Sequence, residues 1–314
     1  MDKTLNMALV GASGVVGKKI LQLLEKKGIQ VDKLFPLGSS TVGQTVHFQN
    51  QDYVIGSLDD FDPTDVNITI FSAGGSVAKQ YARKFVEAGN YVIDLSSEFR
   101  YEDDVPLIIP EINGNIVENL DEPTLIANPN CSTSQLLMVL KPIHEQFGIE
   151  FLNIATYQAV SGTGKEAVEE LRSQTYESDT AESKVYPKPI AFNVIPQCDI
   201  FLDNAFTKEE MKLVWETKKI LDPNIEVQAT CARVPVFNGH GVCVMDNPDT
   251  LEYPTPYEQA NDSEDVYVGR IRSQQIQGDS WVSLWVVADN VYGKGAALNA
   301  VQILQKLITN NKLC

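Results

Sequence analysis

No stretch limits the fold of this chain more than residues 5–28. Leu5-Asn6-Met7-Ala8-Leu9-Val10 reads as a buried strand and runs straight into Gly11-Ala12-Ser13-Gly14-Val15-Val16-Gly17. Val16, Ile20, Leu23 and Leu24 then recur at helical spacing, and Gly28 suits the residue just past a helix C-terminus. A mostly apolar strand feeding a helix through a glycine turn belongs in a parallel sheet covered by helices. Glycines at 11, 14 and 17 permit a tight turn and let the backbone approach a pyrophosphate seated on the helix N-terminus. The spacing differs from G-x-G-x-x-G, and a tight βα turn alone would also account for it. Its place in the first βαβ unit favours the dinucleotide reading.

The same rhythm continues. Strands are expected at Lys33 to Leu37, Val66 to Ser72 and Tyr91 to Leu95, with a helix at Val77 to Ala88 between the last two. This predicts a Rossmann-like, doubly wound parallel sheet. After residue 130 the strand-like runs at Phe151 to Val160, Glu226 to Phe237, Val266 to Arg272 and Trp281 to Ala288 lie closer together. They are broken by loops and by a helix from Thr207 to Leu221, which predicts an α+β domain with a mostly antiparallel sheet. A last helix at Ala296 to Ile308 is suited to pack back on the first domain. The expected division is 1–130 with 291–314 as the dinucleotide domain and 131–290 as the substrate and dimerisation domain.

At the end of the second strand an NAD site would offer an acid to the ribose hydroxyls. Here Leu37-Gly38-Ser39-Ser40-Thr41 offers hydroxyls and N–H groups suited to a 2′-phosphate, so NADP is the expected cofactor. No arginine lies nearby, which leaves use of NAD open.

Composition narrows the partners. With 42 acidic against 25 basic residues the net charge is −17, which argues against nucleic acid and anionic membranes. No apolar run is long enough to span a bilayer, and Met1-Asp2-Lys3-Thr4 does not read as a secretory leader. The five cysteines are odd in number, scattered and without metal-ligand spacing, so no metal is expected and a reducing cytoplasm is.

One cysteine stands apart. Cys131, in Asn128-Pro129-Asn130-Cys131-Ser132-Thr133-Ser134, lies where the apolar run Thr124 to Ala127 gives way to the helical run Gln135 to Leu140. A thiol in the first turn of a helix meets unpaired N–H groups and the positive end of the macrodipole, which favour the thiolate nucleophile. A small buried cysteine at a tight turn is the plain alternative.

Taken together, Gly11 to Gly14, Phe71-Ser72-Ala73-Gly74-Gly75-Ser76, Asn128 to Ser134, Tyr157-Gln158-Ala159-Val160-Ser161-Gly162, Phe192 to Pro196, Arg233-Val234-Pro235-Val236 and Lys294 to Asn299 resemble aspartate-semialdehyde dehydrogenases over nearly the whole chain. The resemblance implies NADPH-dependent reduction of L-aspartyl 4-phosphate through a covalent thioester, in lysine, threonine and methionine biosynthesis. It implies Cys131 as nucleophile, His240 as the acid/base that takes the thiol proton, and Gln158 as a positioning or polarising amide. Arg100, Lys212 and Asn130 match phosphate or acyl ligands, Arg233 a clamp on the α-carboxylate, and Glu209 a holder of the ammonium. The implied cofactor residues are Gly11, Ser13, Gly14, Val15, Val16, Ser39, Ser40, Thr41, Gly74, Gly75, Ser161, Gly162 and Asn290. Oxyanion stabilisation is expected from N–H groups around Cys131 together with Gln158. The implied assembly is a homodimer or homotetramer.

One stretch departs from the family pattern, in which the histidine is followed by Ser-Glu, a strand and a helix before the run to Pro-Thr-Pro. Here His240 is followed by Gly241-Val242-Cys243-Val244-Met245-Asp246-Asn247-Pro248 and then Glu252-Tyr253-Pro254-Thr255-Pro256. A missing strand–helix unit is expected to expose a sheet edge, weaken the subunit interface and put the reach of His240 to Cys131 in question. Two other readings follow. One is a relative without catalysis that binds a cofactor or a partner. The other is an N-acetyl-γ-glutamyl-phosphate reductase, whose His-Pro-Gly-Cys differs from Asn-Pro-Asn-Cys here.

Overall fold

The computed structural model describes residues 4–176, 183–243 and 254–313. Val244 to Pro248 and Glu252-Tyr253, in the departing stretch, lie outside the described residues. The chain divides into two compact units, Met1–Pro129 with Ala296–Cys314, and Asn130–Gly295.

The first unit begins with β1 (Asn6–Val10), α1 (Val15–Lys26) and β2 (Lys33–Gly38). A hairpin of β3 (Thr45–Phe48) and β4 (Gln51–Val54) follows, then β5 (Gly56–Ser57), β6 (Ile68–Phe71), α2 (Gly75–Glu87), β7 (Tyr91–Asp94), α3 (Pro110–Asn113) and β8 (Leu125–Ala127). Six strands form one sheet in the order β5-β2-β1-β6-β7-β8, every pair parallel. β6 and β7 are buried along their whole length, as strands covered on both faces must be. The order reverses between β1 and β6, so the loops leaving these strands lie side by side. There Gly11 has φ +82° and approaches so closely that a Cβ would stand 2.4 Å from the Ser72 carbonyl oxygen. This topological switch point is where open α/β sheets bind their ligands.

The second unit comprises α4 (Cys131–Phe147), β9 (Phe151–Gln158), α5 (Lys165–Tyr176), α6 (Lys208–Ile220), β10 (Glu226–Arg233), β11 (His240–Cys243), β12 (Val266–Ile276) and β13 (Asp279–Ala288). Five strands run in the order β10-β9-β11-β13-β12. Three pairings are antiparallel and the β9–β10 edge is parallel, so the sheet is mixed and mostly antiparallel. Strand alternation sorts its faces. Ile154, Thr156 and Gln158 of β9 are buried opposite Ala229, Cys231 and Arg233 of β10, while Phe151 and Tyr157 point the other way and stay half-exposed. α6 packs against both β10 and α4.

The chain returns to the first unit with α7 (Ala297–Thr309), which packs on α1. Buried Asn299 there donates to the Ile108 carbonyl at 3.0 Å and to Asn128 Oδ1 at 2.8 Å. Among the described residues no helix is long and apolar enough to cross a membrane.

Candidate active site

α4 starts at Cys131 because Asn130 caps it. The Asn130 side-chain oxygen accepts from the N–H groups of Ser132 at 2.9 Å and Thr133 at 3.2 Å, meeting two of the donors a helix N-terminus leaves open. The Ser132 and Thr133 N–H groups are thus engaged by the cap in this structure.

His240, the first residue of β11, is wholly buried and stands with Nε2 3.3 Å from Cys131 Sγ. The shortened stretch after it has not drawn it away from the thiol. Its other ring nitrogen, Nδ1, accepts the Ala159 N–H at 3.1 Å. Burial and the neighbouring Arg233 charge hold the imidazole down at about 3, against weaker pulls from Glu209 and the Gly239 carbonyl. Gly162 lies against the same ring. A Cβ there would stand 3.1 Å from both His240 Cε1 and Arg233 Nη1.

Beneath Cys131 lies a buried polar hub built on one face of α6. Glu209 Oε1 accepts from Asn130 Nδ2 at 2.9 Å and Gln158 Nε2 at 3.0 Å, and Glu209 Oε2 accepts from Lys212 Nζ at 2.9 Å. Burial alone would raise the Glu209 carboxyl, but the Lys212 charge and these hydrogen bonds outweigh it and hold it at about 2. Lys212 also donates to Asp199 at 2.8 Å and is raised despite its burial. Gln158 further donates to Ser132 Oγ at 3.1 Å. Glu209 and Lys212 share a helical face as expected, yet both are buried, and both oxygens of Glu209 are engaged. A substrate ammonium on Glu209, or a phosphate on Lys212, would have to displace one of these partners.

Arg233 is buried, donates from Nη1 to the Ala159 carbonyl at 2.6 Å, and makes no hydrogen bond from Nε among the described residues. It therefore keeps donor capacity for a carboxylate. Asn290 accepts the Gly239 N–H at 3.0 Å and bonds Ser161 Oγ, so two expected cofactor residues hold the turn that presents His240.

Arg100 belongs to the first unit, in the turn after β7. It is buried and donates to the Leu95 carbonyl at 3.0 Å. The glycine loop lies there too. Gly14 and Gly74 are the N-cap residues of α1 and α2 and supply no side-chain cap, leaving first-turn N–H groups for an anion at the ends of β1 and β6. Ser13, Val15 and Val16 lie on that turn, Gly75 opens α2, Ser39 and Ser40 are exposed, and Thr41 folds its hydroxyl over Gly38. These features fit a dinucleotide. Among the described residues no group of three or more His, Cys, Asp or Glu is placed to hold a metal.

Two participants are missing from the sequence reading. Glu216 accepts the Asn130 N–H at 2.6 Å. Its place at i+7 from Glu209 puts it on the same face of α6, a signal that needs the burial of that face to be known first. The Ala159 backbone, bonded to both His240 and Arg233, has no side-chain signature.

Comparison with known proteins gives one family. Residues 6–120 match the description "Semialdehyde dehydrogenase, NAD binding domain". Residues 140–245 and 240–292 match "Semialdehyde dehydrogenase, dimerisation domain", in two pieces that meet where the sequence departs. A relative from Shewanella violacea, named aspartate-semialdehyde dehydrogenase, is 46% identical over 98% of this chain and 99% of its own. That alignment spans 338 positions, more than the 314 residues here, so the relative carries residues this chain lacks. A relative of the same name from Legionella pneumophila is 45% identical over 98% of this chain and 96% of its own. The crystal structure of aspartate semialdehyde dehydrogenase II from Vibrio cholerae, known also complexed with ASA, superposes with TM-score 0.91 at 41% identity, covering 98% of this chain and 99% of that one.

Proposed function

Because the chain belongs to the aspartate-semialdehyde dehydrogenase family, we propose that it reduces L-aspartyl 4-phosphate to the 4-semialdehyde through a thioester on Cys131, in amino-acid biosynthesis. The observation that carries this reading is the 3.3 Å approach of His240 Nε2 to a thiol in the first turn of α4. Neither a scaffold relieved of catalysis nor an exchange of partners needs that pair to be kept.

The residues divide the work. Cys131 Sγ attacks the acyl carbon and phosphate leaves. The Arg233 guanidinium clamps the α-carboxylate, and Arg100 serves the phosphate. Asn130, Gln158, Glu209 and Lys212 fix the floor on which Cys131 stands, and Glu209 supplies the negative field that attracts the ammonium. A nicotinamide dinucleotide bound at the Gly11 loop supplies the hydride. We read it as NADP from the hydroxyls of Ser39, Ser40 and Thr41 and the absence of an acid among them. The chain associates with further copies of itself through its second unit, most simply as a homodimer, and works in the cytoplasm.

The test is the reverse assay, NADP reduction with aspartate semialdehyde and phosphate. Turnover should require phosphate and vanish in Cys131→Ala, with the variant's urea midpoint within experimental error of the parent. Phosphate-independent turnover, or turnover that survives Cys131→Ala, sinks the reading.

A further inference from the structure

Lys212 on α6 stands between two carboxylates that differ in how firmly they are held. Glu209 Oε2 accepts from its Nζ at 2.9 Å and Asp199 Oδ2 at 2.8 Å. The Glu209 side chain is 7% exposed, and its other oxygen already accepts from Asn130 and Gln158. Losing the ammonium would strand this buried carboxylate on two neutral amides, which is costly. The Asp199 side chain is 33% exposed, and its Oδ1 accepts the Ile200 N–H at 2.9 Å. Its Oδ2 can exchange the ammonium for water at little cost.

The backbone fixes where Asp199 points. It sits at φ +68°, in the left-handed region that Asp tolerates better than most side chains. The segment around it is held at both ends. Ile195 exchanges both backbone hydrogen bonds with Arg233, and the Ile200 carbonyl accepts the Lys208 N–H at 2.8 Å, where α6 begins. Gln197 Nε2 donates to the Asp199 carbonyl at 3.2 Å. A turn tied to the strand of Arg233 and to the start of α6 thus aims this carboxylate at Lys212.

We propose that Asp199 is a built-in competitor for the phosphate group of the substrate: its carboxylate holds Lys212 before substrate arrives, yields the ammonium to the phosphate, and takes it back as phosphate leaves. The proposal rests on the function inferred above, in which phosphate departs from the acyl carbon on Cys131. Lys212 is placed to meet that phosphate, because one Glu209 carboxylate joins its ammonium to the Asn130 amide beside the nucleophile. Of its two partners, Asp199 is the one that can let go without stranding a buried charge. With phosphate on Lys212, the Asp199 carboxylate faces a second anion and opposes it. That opposition loosens phosphate at the stage where it must leave. Asp199 therefore sets phosphate affinity without touching the reacting atoms, as a positioning residue that acts through Lys212.

The deciding measurement is isothermal titration calorimetry of the full chain with inorganic phosphate. Asp199→Asn suits the left-handed backbone and can keep the bond to the Ile200 N–H, while Asp199→Gly tolerates the same backbone and removes the side chain. Both should bind phosphate about three- to tenfold more tightly than the parent. The phosphate KM of the reverse reaction should fall by a similar factor. Asp203→Asn makes the same charge change at an exposed acid of the same segment and should leave phosphate affinity within about twofold. A residue that merely keeps Lys212 in place would weaken binding when removed. Weaker, unchanged or unmeasurable binding in both Asp199 variants therefore overturns the proposal. An equal gain in Asp203→Asn shows a general effect of net charge and overturns it as well. Calorimetry needs no turnover, so it stays readable if the assigned reaction fails, and the two claims separate.

Discussion

His240 ties the chemistry of single residues to the stability of the second unit. In the unfolded chain a histidine titrates near 6.5, while in the fold burial and Arg233 hold His240 at about 3. Between those values the unfolded state binds the extra proton, so stability rises with pH there. It is fully present above about 6.5 and is lost progressively as pH falls toward 3, by about 1.4 kcal/mol per unit for this one group. Urea midpoints at pH 7 and pH 5 should therefore differ more in the parent than in His240→Gln, whose amide does not titrate. Parallel pH dependences in the two proteins would show that the imidazole is not the group responsible. At this scale much of the site was legible: Gln158, Arg233 and His240, all buried, come together with half-buried Cys131 in one cluster. Ala159 was not, because the bond it makes belongs to the backbone. Glu216 was passed over because an acid on a helix reads as solvated until its neighbours at i−4 and i−7 are known to be buried.

Among the elements, α4 depends most on a single side chain. Asn130 caps the helix through Oδ1, holds Glu209 through Nδ2 and gives its own N–H to Glu216. Asn130→Ala removes the cap, worth about 1 kcal/mol, and leaves buried Glu209 short of one donor, a further ~1 kcal/mol or more. The variant's urea midpoint should fall accordingly. Alkylation of Cys131 by iodoacetamide should change with it, since the first turn that bears the thiol is no longer fixed. An unchanged midpoint would mean that Glu216 alone holds the turn. The elements themselves were largely written in the periodicity, from β1 and the glycine turn through α6 and α7. The parallel pairing of β9 with β10 was not. Alternation tells which side chains share a face, and β9 and β10 do share theirs, but it carries no sign of strand direction. The crossover of about seventy residues, with α5 and α6 inside it, is what makes parallel pairing possible.

For the molecule as a whole, the segment missing after His240 is expected to tell on assembly. Beyond its last pair with β11, at Trp285, β13 is paired with β12 alone among the described strands. The outer halves of that hairpin carry Ile271, Ile276 and Val282 at 60%, 42% and 51% exposure. The sheet face beside them bears half-exposed Phe151 and Tyr157, which meet Trp281 edge-on and Trp285 at a tilt, with ring centroids 5.8 and 5.6 Å apart. This aromatic face is the surface through which we expect copies of the chain to associate, and a stable pair needs roughly 800 Å² from each partner. A long hairpin held on one side twists and frays more readily than one held on both. The area it contributes is then partly lost to the entropy of ordering it on contact. The expected outcome is a reversible dimer in the micromolar range, read by sedimentation velocity as a weight-average mass that falls on dilution. Trp285→Arg should shift the equilibrium to monomer while leaving the Cys131–His240 pair in place, since the indole lies on the outer face and the pair on the inner one. A dimer that holds together at nanomolar concentration would show that the shortened domain lost nothing its interface needed.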